Sequence, residues 1–350
     1  MPVKPGRAKP YPASDHCDGE RFFNPEPSLR DPEGRRRGLA YFLLGRLRRD
    51  PKIWSKWPKR VENPGHPPPG AWAEDGAALT FLGHSSFLLR LPGLTVLTDP
   101  IFSARCSPIP FLGPRRVRDP GMALEALPRV DVTLLSHNHY DHMDLPSLRR
   151  LRRRFPEMRI IAPLGNAAYL ARKGLPGAIE LDWWEDVTVN SARITATPAR
   201  HFAARALHDR NRTLWCGFML AHESAKIYVA GDTGYTRFFR EIRTRLGSPG
   251  IALLPIGAYE PRDFMRAAHL NPADAAQAFL DLEPSFAIGK HFGTFQLTAE
   301  PIDQPEADLA IARAAAGIRP ESFLTLACGE TRIFPTDRAN APRNAALGTS

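Results

Sequence analysis

The chain has 350 residues, 43% hydrophobic and 24% charged, with a formal net charge of +10 and four cysteines. That length carries either two domains or one large domain with appendages, and the composition excludes collagen-like, coiled-coil and small disulfide-stapled classes. The cysteines, at 17, 106, 216 and 328, form no CxxC pair, which argues against a cysteine zinc ribbon and fits a reducing compartment.

Charge and proline concentrate at the start. Residues 1–70 hold 15 Lys and Arg against 8 Asp and Glu, so +7 of the net charge, and 13 of the 35 prolines. This marks a basic, Pro-rich N-terminal strap at 1–70, ahead of a body at 71–335 and a tail at 336–350. Within it, Arg35, Arg36 and Arg37 precede the apolar run Leu39 to Leu44, and Arg46, Arg48, Arg49, Lys52, Trp54, Lys56, Trp57, Lys59 and Arg60 follow. Two readings stand. Residues 35–60 suit peripheral contact with an anionic membrane surface, Trp at the interface; equally, a strap can pack on the body with its charges solvated. No nucleic-acid motif accompanies the charge, so no nucleic-acid partner is expected. No apolar run approaches the roughly 20 residues of a membrane span, and the first twenty residues lack the apolar stretch of a signal peptide. The expected location is the cytoplasm, with peripheral association at the inner membrane surface left open, as is a homodimer.

PGHPPPG at 64–70 reads as a linker. Leu79 to Leu82 is a short strand, and Ser86 to Leu91 and Leu94 to Leu97 pair across Pro92-Gly93. Residues 101–121 are a loop rich in Pro, Gly and Arg. Val130 to Leu135 is a buried strand, Leu145 to Phe155 a helix basic on one face, Arg159 to Ala162 a strand and Asn166 to Lys173 a helix closed by Gly174. Strands follow at 187–189, 193–198, 216–221 and 226–230, a helix at Phe238 to Leu246 and a strand at Ile251 to Pro255. Asn271-Pro272-Ala273-Asp274 is a helix start, with Asn as N-cap and Pro at the first position, and that helix runs to about Leu282. Phe286 to Gly289 is a strand, Asp308 to Ala316 a helix and Phe323 to Leu326 a final strand. Strands interspersed with helices predict a layered α/β or α+β fold.

The stretch Ser136-His137-Asn138-His139-Tyr140-Asp141-His142 puts three histidines and an aspartate directly after a predicted strand. Residues i and i+2 of a strand point the same way, so His137 and His139 can converge on one ion, while a turn lets Asp141 and His142 reach a second point. A lone histidine is more often packed core than ligand, but four ligand-type side chains so placed have no comparable structural explanation. Three further strands end in such side chains: His201 after 194–199, Asp232 in AGDTG, and His291 in KHFGTF. Imidazole and carboxylate without thiolate suit catalytic zinc, iron or manganese.

HxHxDH followed by His, Asp and His at these separations resembles the metallo-β-lactamase superfamily. FLGHSSFLLR (81–90), LTDPIFSARCSP (97–108), TPARHF (197–202), RNRTLWCGF (210–218), AGDTGY (230–235), IGAYEPRDFM (256–265), HLNPADA (269–275) and HFGTFQLTAEP (291–301) together are similar to the N-acyl-phosphatidylethanolamine-hydrolysing phospholipase D group, as is DGERFFNPEP (18–27). The resemblance implies a four-layer αβ/βα sandwich with a two-metal site at one edge. It implies that His137, His139 and His201 hold one divalent ion, that Asp141, His142 and His291 hold the other, and that Asp232 bridges them, most simply as two zinc ions, with iron or manganese as alternatives. It places His269 beside the substrate phosphate or leaving group, where a helix N-terminus favours an anion; a surface histidine ahead of a helix is the plain alternative. His84 and Asp99 sit where they would orient ligand histidines, or serve only in turns. His16, His66, His208 and His222 are unassigned and expected mostly at the surface.

Such a site implies hydrolysis of a phosphodiester, with Asp141, Asp232 and His269 catalytic, and most specifically cleavage of an N-acyl-phosphatidylethanolamine to phosphatidate and N-acylethanolamine. A lactonase, or a phosphodiesterase for soluble or cyclic substrates, would keep the same site. His139 stands against a flavo-diiron enzyme, which carries Glu there, and filled ligand positions stand against a vestigial scaffold.

Overall fold

The computed structural model describes residues 10–26, 54–64, 76–206 and 208–336. Fourteen strands are described: β1 (Ala77–Gly83), β2 (Ser86–Leu91), β3 (Leu94–Thr98), β4 (Val132–Leu134), β5 (Arg159–Pro163), β6 (Ile179–Leu181), β7 (Asp186–Val189), β8 (Ala192–Thr197), β9 (Gly217–His222), β10 (Ala225–Val229), β11 (Ile251–Pro255), β12 (Phe286–Lys290), β13 (Phe323–Leu324) and β14 (Thr331–Phe334). They form two seven-stranded mixed sheets, in the orders β14-β1-β2-β3-β4-β5-β6 and β13-β12-β11-β10-β9-β8-β7. In each sheet the first hairpins are antiparallel, and the later strands, β3 to β6 and β10 to β13, are parallel.

The alternation of side chains along each strand builds the layers. In β2, Phe87 and Leu89 join a core that also holds Ile194, Leu220, Ile227, Leu253 and Ile288 of the second sheet, so the two sheets pack face to face. Leu88, between them, points the other way into a second cluster with Leu97, Ile160, Leu148, Leu151 and Leu170. Those last three come from α1 (Leu145–Arg154) and α2 (Ala167–Arg172), which cover the outer face of the first sheet. Parallel strands covered on both faces explain why their sequences are nearly continuous apolar runs. α3 (Phe238–Leu246), the short α4 (Arg262–Met265), α5 (Pro272–Leu282) and α6 (Gln304–Ala315) complete the helices, and Phe239, Phe279 and Leu309 pack with the second sheet. The result is the four-layer α/β sandwich expected from the sequence.

Several expectations shift. The strand predicted over 130–135 is only Val132–Leu134, so His137 and His139 stand in a loop and are not aligned by strand alternation. The last helix begins at Gln304, four residues earlier than expected, and the predicted final strand shrinks to Phe323–Leu324. β14 then returns beside β1 in the opposite sheet, a long-range pairing that four residues of sequence cannot announce. The three-residue β6 and four-residue α4 are too short to show a periodicity for the same reason. The predicted start of α5 holds: the Asn271 side chain accepts from the Asp274 N–H at 2.8 Å.

The described parts of residues 1–70 lie on the body. Cys17 and Phe22 enter the main core, the His16 ring stacks on Trp183 with centroids 4.3 Å apart, and Trp57 donates its indole N–H to the Glu300 carbonyl at 2.8 Å. The basic run at 35–53, most of the 64–70 linker, His66 and residues 337–350 lie outside the described residues. His16 and His222 are buried rather than at the surface; Asp182 and Ser191 satisfy them by hydrogen bonds of 2.8 Å each. No described helix is long and apolar enough to cross a membrane.

Phe279 is fully buried and stacks on Phe323. Phe279→Ala therefore lowers stability by about 3–5 kcal/mol, read as a lower urea midpoint at unchanged slope.

Candidate metal centre

The site is assembled from chain segments that leave the strand ends. β3 runs into Asp99 and β4 into Ser136, and one carboxylate joins them: Asp99 accepts from the Ser136 N–H and from its hydroxyl, both at 2.7 Å. The same Asp99 carboxylate meets Nδ1 of His142 at 2.8 Å. A turn returns the chain between these points, with the Met143 N–H donating to the His139 carbonyl at 2.8 Å. β8 leads to His201, β10 to Asp232 and β12 to His291, whose N–H donates to the His84 carbonyl at 2.7 Å. Gly231, just before Asp232, permits this convergence: a Cβ there would lie 2.3 Å from the Cys216 carbonyl oxygen.

All seven side chains expected as ligands come together. His137, His139 and His201 form one group, with ring nitrogens of His137 and His201 at 2.8 and 3.3 Å from Nδ1 of His139. His84, Asp141, His142 and His291 form a second around Oδ2 of Asp141, at 2.9, 3.3 and 3.3 Å for the three histidines. Asp232 stands between the groups: its Oδ2 lies 3.1 Å from His142 Nε2, 2.9 Å from His291 Nε2 and 3.9 Å from His269 Nδ1. His269 is buried, not a surface residue, and its ring centroid lies 5.1 Å from that of His201. His84 holds a carboxylate rather than a ligand histidine, whereas Asp99 does orient one.

Several of these close approaches are not hydrogen bonds. Nε2 of His142 and of His291, Oδ1 of Asp232 and Nδ1 of His269 are buried without a hydrogen-bond partner. Burying such atoms unpaired is costly, and so many in one place is unusual for a folded protein. Nε2 of the two histidines and Oδ1 of Asp232 can each offer a lone pair to a shared cation. The donor set of imidazoles and carboxylates without thiolate fits divalent zinc, iron or manganese. In His142 and His201 the far ring nitrogen is engaged as ligation needs: Nδ1 of His142 meets Asp99, and Nδ1 of His201 donates to the Ala268 carbonyl at 2.9 Å, leaving Nε2 of each to face the site.

Electrostatics divide the histidines. Burial pushes His139 and His84 down to about 3 and His201 to about 4, with neighbouring rings adding to the effect; burial also holds His137 and His269 well below the usual value. These rings are neutral at physiological pH, the form that binds metal. Burial opposes a charge on His142 and His291 as well, but the carboxylates of Asp232 and Asp141 overcome it and raise both. The same contacts keep Asp141 and Asp232 ionised despite their burial.

Other residues hold the centre and carry no signal of it in the sequence. The Asn24 side chain donates to the His201 carbonyl at 2.9 Å and accepts from its N–H at 3.2 Å, clamping that backbone from the N-terminal segment. Arg205 donates to the carbonyls of Asn138 and Met143 at 2.7 and 2.8 Å, bracketing the HxHxDH turn. Arg262 donates to the His269 carbonyl at 2.8 Å and pairs with Asp274. Asn24 and Arg262 stand inside motifs quoted above, but a motif names neither hydrogen-bond partner. A cavity of about 230 Å³ opens beside His201, lined also by Asn24, Arg200, Phe202 and Arg210.

Asp99→Ala removes the partner of His142 and lowers divalent-metal affinity roughly 10–100-fold, measured by competition with a chromogenic chelator. Asn24→Ala, which frees the His201 backbone, moves the same measurement in the same direction.

Residues 95–292 match the family model described as the Beta-lactamase superfamily domain. The chain is 36% identical over 270 residues to the N-acyl-phosphatidylethanolamine-hydrolyzing phospholipase D 1 of Caenorhabditis elegans, a match covering 74% of this chain and 76% of that protein. It is 39% identical over 251 residues to an uncharacterized protein of Mycobacterium tuberculosis, covering 70% of this chain and 64% of the relative's length. Among solved structures, an isothiocyanate hydrolase from Delia radicum gut bacteria superposes with a TM-score of 0.59 at 22% identity, over 74% of this chain and 99% of that one, a likeness of fold alone.

Proposed function

We propose that this chain, which belongs to the metallo-β-lactamase superfamily and within it to the N-acyl-phosphatidylethanolamine-hydrolysing phospholipase D-like group, is a metal-dependent phosphodiesterase acting on a phospholipid of the N-acyl-phosphatidylethanolamine type. The observation that carries the reading is buried Asp232 standing between two groups of ligand-type side chains, with Nε2 of His142 and of His291 beside it left without hydrogen bonds. The substrate class is supported by the named activity of the Caenorhabditis elegans relative.

In this reading His137, His139 and His201 would hold one divalent cation and Asp141, His142 and His291 the other, with Asp232 placed between the two groups. Divalent metal held there would supply Lewis-acid activation of water at neutral pH and stabilisation of the charge that builds on a phosphoryl group. The chain's own residues supply the remainder. Asp99 and Ala268 fix the rings of His142 and His201 through their far nitrogens. His84 holds Oδ2 of Asp141, so the carboxylate keeps one orientation in which to receive a proton. His269, neutral and with Nδ1 unpartnered, offers a hydrogen bond to the leaving oxygen. The N-terminus of α5, two residues on, adds favourable potential for an anion.

Two measurements test this. Asp232→Asn and His139→Ala each lower metal content and abolish turnover while the circular dichroism spectrum stays that of the parent; full activity in either removes the two-metal assignment. Metal-loaded protein mixed with vesicles containing N-acyl-phosphatidylethanolamine releases phosphatidate and N-acylethanolamine, detected by mass spectrometry with Asp232→Asn as blank. No release from fully loaded protein removes the phospholipid and turns the search to soluble diesters and lactones.

A further inference from the structure

Six large hydrophobic side chains are exposed among the described residues, and three of them, Ile109, Phe111 and Leu112, sit in one loop. Phe111 is 82% and Leu112 60% exposed. Single exposed apolar residues are ordinary, but a contiguous cluster marks a contact surface. The loop is built rather than loose. Arg105 and Arg115 form an antiparallel bridge, the Cys106 N–H donates to the Pro114 carbonyl at 3.2 Å, and the Arg116 N–H to the Ala104 carbonyl at 2.9 Å.

The base of the loop joins the second ligand group. Cys106 and Ile101 pack with Phe295, whose ring meets that of His84 edge-on at 5.3 Å. The Val117 N–H donates to the Thr294 carbonyl, and Arg118 donates to the Gly293 carbonyl. The base of the loop therefore packs on the segment that directly follows His291.

We propose that residues 105–115 dock this protein on an anionic phospholipid surface, with Ile109, Phe111 and Leu112 entering the boundary between headgroups and acyl chains. Charge selects this occupant. Residues 101–118 contain four arginines and no acidic residue, and the next acid, Asp119, is paired with Arg60 at 3.3 Å. Arg115 is exposed beside the tip, while Arg105, Arg116 and Arg118 bond backbone carbonyls at the loop's base; an apolar tip in a segment of purely positive charge matches a surface of lipid phosphates over hydrocarbon. The backbone suits shallow burial too. Pro108, Pro110 and Pro114 bring no N–H to desolvate, and the amides of Ile109 and Leu112 are already bonded to Ser107 Oγ and to the Ile109 carbonyl, at 3.2 Å each. The inference deepens the phospholipid reading and rests on it for the choice of a lipid surface. It places a membrane contact on a loop that reads in the sequence only as a connection, separate from the 35–60 stretch, of which 35–53 lies outside the described residues.

The test uses the full chain, metal-loaded, with the double variant Phe111→Ser/Leu112→Ser as comparison. In flotation assays the parent binds vesicles of phosphatidylcholine with phosphatidylglycerol, and more weakly vesicles of phosphatidylcholine alone. The variant binds the anionic vesicles at least tenfold more weakly, with metal content and thermal midpoint unchanged. Phe111→Trp in the otherwise intact chain gives a blue-shifted emission on adding vesicles and is quenched by brominated acyl chains. Parent-like binding by the double variant, or an unshifted emission from the Phe111→Trp variant with vesicles bound, overturns the proposal. So does a parent dimer that the double variant dissociates without losing vesicle binding, which would make a second copy the occupant. Binding through this loop without release of N-acylethanolamine leaves the docking surface standing and removes only the substrate.

Discussion

A carboxylate buried among imidazoles, Asp232, sets the terms for the rest of this structure. Removing an ionised carboxylate from water costs several kcal/mol unless charge or hydrogen bonds replace the lost hydration. Here one of its oxygens has no hydrogen bond, and the other lies near His142, His291 and His269. Such an arrangement is poor as a protein core and good as a cation site. What the folded chain leaves without partners, Oδ1 of Asp232 and Nε2 of His142 and His291, is what a bound divalent metal would engage.

The two sheets exist, for this purpose, to hold backbones that cannot yield. β3, β4, β8, β10 and β12 end around one place, and each delivers a side chain within a few residues of its last ladder bond. A short, packed strand fixes where its next residue begins. The connecting carboxylate of Asp99 then ties the ends of β3 and β4 to the ring of His142, so the orientation of that ligand is inherited from the sheet. Where the sheet does not reach, side chains from elsewhere act. Asn24 grips the His201 backbone, and Arg205 brackets the HxHxDH turn. The N-terminal segment is thus part of the site's support, anchored by the buried Cys17 and Phe22.

The surface has a comparable logic. Apolar residues at a loop tip would be a liability in a protein that met only water. Proline, internal hydrogen bonds and a base packed on Phe295 give that tip a defined shape. It adjoins the centre in packing, through residues 293–295, which follow His291 in the chain.

Much of this was legible in the amino-acid sequence. The order and type of the longer elements followed from apolar periodicity, and Asn271-Pro272 announced its helix because capping is a local interaction. The ligand candidates were legible because chemistry restricts residue type: few reasons other than metal place three histidines and an aspartate in six residues. What the sequence could not decide was pairing at long range. That β14 joins β1, that His84 serves Asp141 while Asp99 serves His142, and that His16 is buried against Trp183 all depend on which segments meet. So do the grip of Asn24 on His201, across 177 positions of chain, and the burial of His269. Side-chain type and local backbone preference are written residue by residue; the partners of a hydrogen bond, and whether a phenylalanine is covered, are set only when separate segments pack together.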